Sequence, residues 1–429
     1  MELRLQKRYR KLVKQHLGPA RGIAAGLRRS PKPDNGLSAT LAAYRFYANK
    51  RVGLVKVFEP VLELTRTRAS VCKQWALVIH DWSGLHYTAH KSKKDRVTLY
   101  SKYDLGYMLQ AALLISDRDG APLGPLYLGV RSNDGVHSTR REEALPARPE
   151  IDELNRTIGF IEGQKLGKRI VHIVDRQGDS LLHLRRFNRC GRTFIIRGNA
   201  VRWVEHQGTS LLLSEVEKKL AGKFRFSRKV QYKGEEARQY VAETTVTLKG
   251  PARQLRRRNG KKVHKTIEGK ELALRLILAQ VRDHEGTVLS TWRLWTNLPE
   301  SVSADKIALW YYWRWRIESY FKLLKRAGQH IEQWQQESAR AIAKRLAVAS
   351  QACLIVWMTM QSKKKTAKPL RQLLIQLSGR IMKRDVEWTA PALLTGMWQL
   401  LAMIDALDQY PIAHLRDMGD LIYKMLGAD

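Results

Sequence analysis

Two short apolar runs, at residues 75–79 and 169–174, constrain this chain more than any other feature. They are too short for core helices and lack the alternation of a strand with one wet face. Runs of this kind belong to strands covered on both sides. Further strands are predicted at 109–115, 126–130 and 193–196, and helices at 152–164 and 180–187. Strands with interleaved helices predict an α/β core built on a mixed sheet.

The rest of the chain falls around that core. Residues 1–68 are predicted to form a helical basic region: one short helix near the start, a turn or linker at 30–36, and a second helix at 37–49. Residues 69–362 hold the core, interrupted at about 200–290 by a β-rich insertion with alternating stretches at 224–232 and 240–248. The strand pattern resumes at 290–296, and long helices are expected at 303–327 and 333–360. Residues 363–429 are mostly helical, at 370–382, 391–407 and 417–426. At 429 residues and 44% apolar, the chain can bury a sizeable core, which excludes disorder throughout. No apolar run reaches the roughly 18–20 residues of a membrane span; the nearest, 346–360, reads as a buried helix. The first fifteen residues lack the apolar centre of a signal peptide. Three isolated cysteines (Cys72, Cys190, Cys353) predict neither a disulfide framework nor a zinc site, and they point to a reducing, cytoplasmic setting.

With 77 Lys and Arg against 40 Asp and Glu, the formal net charge is +37. Such a chain repels itself and is expected to meet a polyanion, nucleic acid first and an acidic membrane surface second. Arg4, Lys7, Arg8, Lys11 and Lys14 recur at three- and four-residue spacing, on one side of a helix. A row of this kind is either a solvated face or a DNA contact, and the excess of base over acid favours the second. A basic loop is expected within 244–267, which carries Arg256, Arg257 and Arg258 with Lys261 and Lys262.

Asp81 and Asp175 follow the two apolar runs, where open α/β sheets place ligand-binding groups. Taken singly, each could be a turn or cap aspartate. A third acid, Glu318, belongs to a stripe of Tyr311, Arg314, Glu318, Lys322 and Lys325, at offsets of 0, 3, 7, 11 and 14, which project onto one side of a helix. The bland alternative is a solvated face with exposed ion pairs. Three carboxylates can hold two divalent cations about 3.5–4 Å apart, one activating a nucleophile and the other stabilising the leaving oxygen of a phosphodiester. Oxygen ligands favour Mg²⁺, with Mn²⁺ as a substitute. Arg314 suits bidentate phosphate contact, and Lys322 and Lys325 serve as point charges.

Tyr311, Arg314, Glu318 and Lys325, with two, three and six residues between them, resemble the YREK signature of DDE transposases of the insertion-sequence-four family. Asp175-Arg-Gln-Gly-Asp179 resembles that family's second-aspartate loop, and Ala43-Tyr-Arg-Phe46 its N-terminal domain. The separations, 94 residues from Asp81 to Asp175 and 143 on to Glu318, leave room for a β insertion. The resemblance covers residues 37–360. It implies a ribonuclease-H-like core with Asp81, Asp175 and Glu318 as catalytic metal ligands. It implies cut-and-paste transposition: nicking at the transposon ends, formation and opening of a DNA hairpin, and joining to target DNA. It also implies a homodimer holding two double-stranded DNA ends, with residues 363–429 as a candidate for dimer or synapsis contacts, in a bacterial, nucleoid-associated setting. Trp292 takes the place of a Trp that stacks on a flipped base, with Trp295 as a competing assignment. Tyr311, Arg314 and Lys325 take phosphate-contact and base-positioning roles. Arg176, Arg45, Lys7, Lys11 and the Arg256–Arg258 run are further candidate DNA contacts. Asp179 reads as a cap of the following helix. Alternatives are a domesticated DNA-binding protein, a nuclease that cuts without joining, and a ribosomal or RNA-binding protein.

Overall fold

A computed structural model describes residues 2–17, 36–258, 261–382 and 386–425. Most of the predicted linker at 30–36, and the Asn259-Gly260 turn, lie outside the described residues, as do the side chains of Arg256, Arg257 and Arg258.

Both apolar runs are strands at the middle of one large mixed sheet. Its central order is Pro122–Ser132, Leu105–Ser116, Trp75–His86, Arg169–Val174, Thr193–Arg197. The first three are antiparallel to one another, and the last three are parallel. Burial on both faces explains the unbroken apolar sequence. Leu77 and Ile79 enter one core cluster, while Ala76 and Val78 enter another on the opposite side. The main cluster is closed by helices Leu54–Arg68 and Ala339–Gln361, which pack on each other and on Pro122–Ser132. The first of these carries Pro60 inside it and is not among the predicted elements.

Several expectations need correction. The strand from Trp75 runs on to His86, so Asp81 lies within it and not after it. The β-rich segment at about 200–290 joins the sheet: Glu235–Leu248 and Leu272–Arg282 continue it through Val288–Thr296. The basic run Arg256–Arg258 is in a strand, Ala252–Arg258, paired with Lys261–Ile267. The helix expected at 303–327 is broken into Ala304–Tyr312, a 3-10 turn at Trp313–Trp315, and Arg316–Leu324. Trp310, Tyr311, Trp313 and Ile317 are all buried, which draws more than one side of the segment inward. The helix expected from 333 starts at Ala339, where the Ser338 side chain caps the Ala341 amide.

Two helices, Ala339–Gln361 and Ala390–Leu407, are long and apolar enough to cross a membrane, contrary to the sequence expectation. The first is 83% buried within the protein and serves as its core helix. The second packs against Ala367–Ser378, and its outer side exposes Met403, Ile404 and Leu407. Cys72, Cys190 and Cys353 are free.

Candidate active site

Register places the first two acids side by side. In the parallel pair, His80 stands opposite Val174, so Asp81 and Asp175 are the next step along neighbouring strands. Strand alternation puts both on the face of Leu77, Ile79, Val171 and Ile173. The helix Arg316–Leu324 buries Ile317, Tyr320, Phe321 and Leu324 in that same cluster, and this brings Glu318 over the strand ends. The Tyr320 hydroxyl is 2.6 Å from Ser350 Oγ on the core helix, which fixes the angle of approach.

The three acids meet on one guanidinium. Arg314 donates from Nη1 to Asp81 at 3.0 Å, while its Nη2 lies 3.4 Å from Glu318 and 3.7 Å from Asp175. Its side chain is only 7% exposed. The Tyr311 hydroxyl donates to Asp175 at 3.3 Å, and the Asp175 carboxylate also accepts from the Arg176 amide at 2.7 Å. Asp81 accepts from the Trp82 amide at 2.9 Å.

Burial raises the pKa of Asp81 above the usual carboxylate value, against the opposing pull of Arg314. Burial likewise raises Glu318, with Arg314 again opposing and Asp81 reinforcing. For Arg314, burial disfavours the charge, but Tyr311, Asp175, Asp81 and Glu318 together outweigh it and hold the pKa above the usual value.

Among the described residues, no three His, Cys, Asp or Glu side chains are disposed to hold a metal ion as they stand. Arg314 takes up the space between the carboxylates. The donor set itself suits a hard divalent cation, being all oxygen and already gathered on a positive group that stands in for one.

The other expected contacts divide. Lys322 is exposed beside Glu318. Lys325 follows the last residue of its helix and turns onto the Gly84 carbonyl at 2.5 Å and Glu332 at 3.5 Å. Arg176 is exposed next to Asp175. Trp292 is 3% exposed, with its ring 5.5 Å from Tyr311 and 6.4 Å from Tyr312, so it forms the floor behind the site. Trp295 is fully buried in a separate cluster. Asp179 is not a helix cap. It binds Arg202 at 2.9 Å and the Asn199 amide at 2.8 Å, and Ser180 holds the N-cap position.

Two further features stand outside the sequence-based expectations. Arg197, at the end of the next parallel strand, lies 3.9 Å from Asp175; its place after an apolar strand is the available signal. A cleft of about 460 Å³ beside Glu318 is walled by Trp315, Arg316 and Lys322 on one side and Tyr232, Lys233 and Gly234 on the other. Trp315, 47% exposed, is the accessible aromatic here. The opposing wall is the turn between Arg225–Tyr232 and Glu235–Leu248, marked in sequence only by a Lys-Gly pair between two alternating stretches.

A second concave region lies at the N-terminal helices. Leu3–His16 buries Tyr9, Leu12, Val13 and His16 and packs on Ala339–Gln361. Arg4, Lys7, Arg8 and Lys11 therefore face outward and line a groove of about 810 Å³ with Arg45 and Arg51. Lys14 is turned away to Asp405, at 3.3 Å.

No family model and no curated protein matches the chain. Among solved structures, it is similar to the piggyBac transposase in a cryo-EM synaptic complex with hairpin DNA, at a TM-score of 0.31 and 9% identity. The overlap covers 80% of this chain and 57% of that one, so the chain spans little more than half that protein's length. A likeness this slight leaves function to be argued from the site itself.

Proposed function

We propose that the protein is a cut-and-paste DNA transposase with a ribonuclease-H-like core, acting by metal-dependent phosphoryl transfer at Asp81, Asp175 and Glu318. The observation that carries this reading is the convergence of three acids, remote in sequence, on Arg314: Asp81 inside one central strand, Asp175 just past the end of its neighbour, and Glu318 from a helix. The strand order, with three antiparallel strands followed by two parallel additions, supports the core assignment. The net charge of +37 and the basic N-terminal groove support DNA as the partner.

Asp81, Asp175 and Glu318 would hold the cations, which supply a nucleophile of lowered pKa and a counter-charge for the leaving oxygen. The protein's own groups do the positioning. Tyr311 and Arg197 both approach Oδ1 of Asp175 and hold its carboxylate in place. Lys322, on the wall of the cleft beside Glu318, is placed to meet a phosphate there as a point charge. Trp315 offers an exposed face on which an unpaired base can stack, at a worth of about 1–3 kcal/mol. The groove between the N-terminal helices takes the flanking duplex. Exposed apolar residues on Ala390–Leu407 and Ile412–Met425 support pairing of two copies.

The deciding experiment incubates the purified protein with end-labelled duplexes drawn from the DNA flanking its coding region, in Mg²⁺ and in Mn²⁺. Nicking, a hairpin product and joined strands are the expected sequence of products. Nicking without joining would leave only a nuclease, and no metal-dependent cleavage would sink the enzymatic reading.

A further inference from the structure

The guanidinium of Arg314 stands where three carboxylates converge, and that position has a consequence for how cations enter. The cluster has three negative side chains, and Arg314 is the cation within ion-pair distance of all of them among the described residues. A divalent ion cannot share this space with a guanidinium held at 3.0 to 3.7 Å from the same oxygens. Removing the arginine with nothing in its place would leave the carboxylates crowded and uncompensated, which is strongly unfavourable in a half-buried site. Exchange of one cation for another is therefore the available path.

Three observations indicate that Arg314 is built to leave. It sits in the 3-10 turn Trp313–Trp315 between two helices, and a 3-10 interruption of this kind often marks a hinge. Its buried Nε has no hydrogen-bond partner among the described residues, so part of the fork is unused in this position. The open cleft beside Glu318 is lined by both chain neighbours of Arg314, Trp313 and Trp315, and the Trp315 ring lies 5.3 Å from the guanidinium. A phosphate in that cleft would offer the fork a bidentate partner, which an isolated ammonium or neutral side chain could not use equally well.

We infer that Arg314 is the resident counter-ion of the cation site in the DNA-free protein, and that metal loading waits on a DNA phosphate that draws the guanidinium away. The inference rests on the metal-dependent reading above and adds its regulation. It keeps the free protein from assembling a loaded phosphoryl-transfer centre away from DNA. Because binding free energies are reciprocal, metal must tighten DNA by the factor by which DNA tightens metal.

The test measures metal directly. Full-length protein is titrated with Mn²⁺, and free ion is followed by electron paramagnetic resonance, with and without a saturating duplex oligonucleotide with frayed ends. In the parent protein, DNA should tighten Mn²⁺ binding by about tenfold or more, within the usual range of coupling. Arg314→Gln should bind Mn²⁺ about tenfold more tightly than the parent without DNA, and DNA should add little. Arg314→Lys, which keeps a point charge but loses the fork, should fall between them and guards against a folding defect in the glutamine variant. Equal Mn²⁺ affinity in parent and both variants without DNA overturns the inference. So does a parent whose Mn²⁺ affinity ignores DNA. If Asp175→Asn matches the parent and none of the proteins binds Mn²⁺ under either condition, the metal-dependent reading itself is lost.

Discussion

At the acid cluster, one guanidinium lies among three carboxylates at 3.0 to 3.7 Å, and its side chain is almost wholly buried. At the N-terminal groove, Arg4, Lys7, Arg8 and Lys11 stand on the outer side of a helix and line an open space of about 810 Å³. Both regions are rich in charge, but only the first is held by register, packing and specific partners. Fixed charge of this kind suits chemistry, where a misplacement of an ångström is costly. Open charge suits association, where phosphates are met through solvent and affinity falls with salt.

The sharpest way to break this contrast is to remove an acid of the cluster. Asp175→Ala or Glu318→Ala should lower metal-dependent cleavage by at least about a thousandfold, the scale of several kcal/mol of lost charge stabilisation. Duplex binding in an anisotropy assay should survive, because the groove is untouched. Full cleavage in either variant would remove that residue from the site.

Next in size are the two tryptophans near the acid cluster. Trp292→Ala should cost about 3–5 kcal/mol in denaturant unfolding, as for any large aromatic removed from a core. Trp315→Ala, at an exposed position, should leave stability within about 0.5 kcal/mol and weaken binding of frayed or single-stranded ends. The opposite ranking would mean that Trp292 is the base platform after all.

The groove comes third. Lys7→Ala with Lys11→Ala should weaken duplex binding by about tenfold at moderate salt and reduce the salt slope by about 0.9 for each phosphate left without its lysine. Cleavage at saturating DNA should be little changed. An unaltered salt slope would assign these lysines to a merely solvated face.

The smallest effects concern pH. The folded protein binds protons at Asp81 and Glu318 more readily than the unfolded chain, because their pKa values are raised from 3.8 and 4.5. Their contribution to stability therefore falls as pH rises above about 4. Asp81→Asn should flatten that slope and be more stable than the parent at neutral pH. His16 acts in the other direction. Burial lowers its pKa from 6.5 to about 3, with Arg345 adding to the shift and the Gln329 hydrogen bond at 2.6 Å opposing it. The unfolded chain protonates first, so this contribution is lost as pH drops from about 6.5 towards 3. Denaturant melts across pH on parent and variants separate the two.

Much of the core is legible in the sequence because its causes are local. Continuous apolar runs predict doubly covered strands, and Arg169–Val174 has the predicted bounds. The helical row of N-terminal cations is equally visible, since spacing alone sets which side chains share a face. The YREK-like spacing picks out residues that the fold brings together, although the helix carrying them is broken and Lys325 has turned to Gly84. Helix Leu54–Arg68 is hard to read from sequence because an internal proline weakens its pattern.

The sequence by itself determined which residues could be strand, which acids followed or occupied apolar runs, and how much positive charge the chain must carry. Only the tertiary structure decided that Asp81 lies inside a strand and level with Asp175 on its neighbour, that Arg314 fills the space among the acids, and that Trp315, not Trp292, is open to solvent. The physical reason is that spacing and hydropathy act along a few residues of chain. Register between strands and the docking angle of a helix arise from packing between segments that lie far apart in sequence.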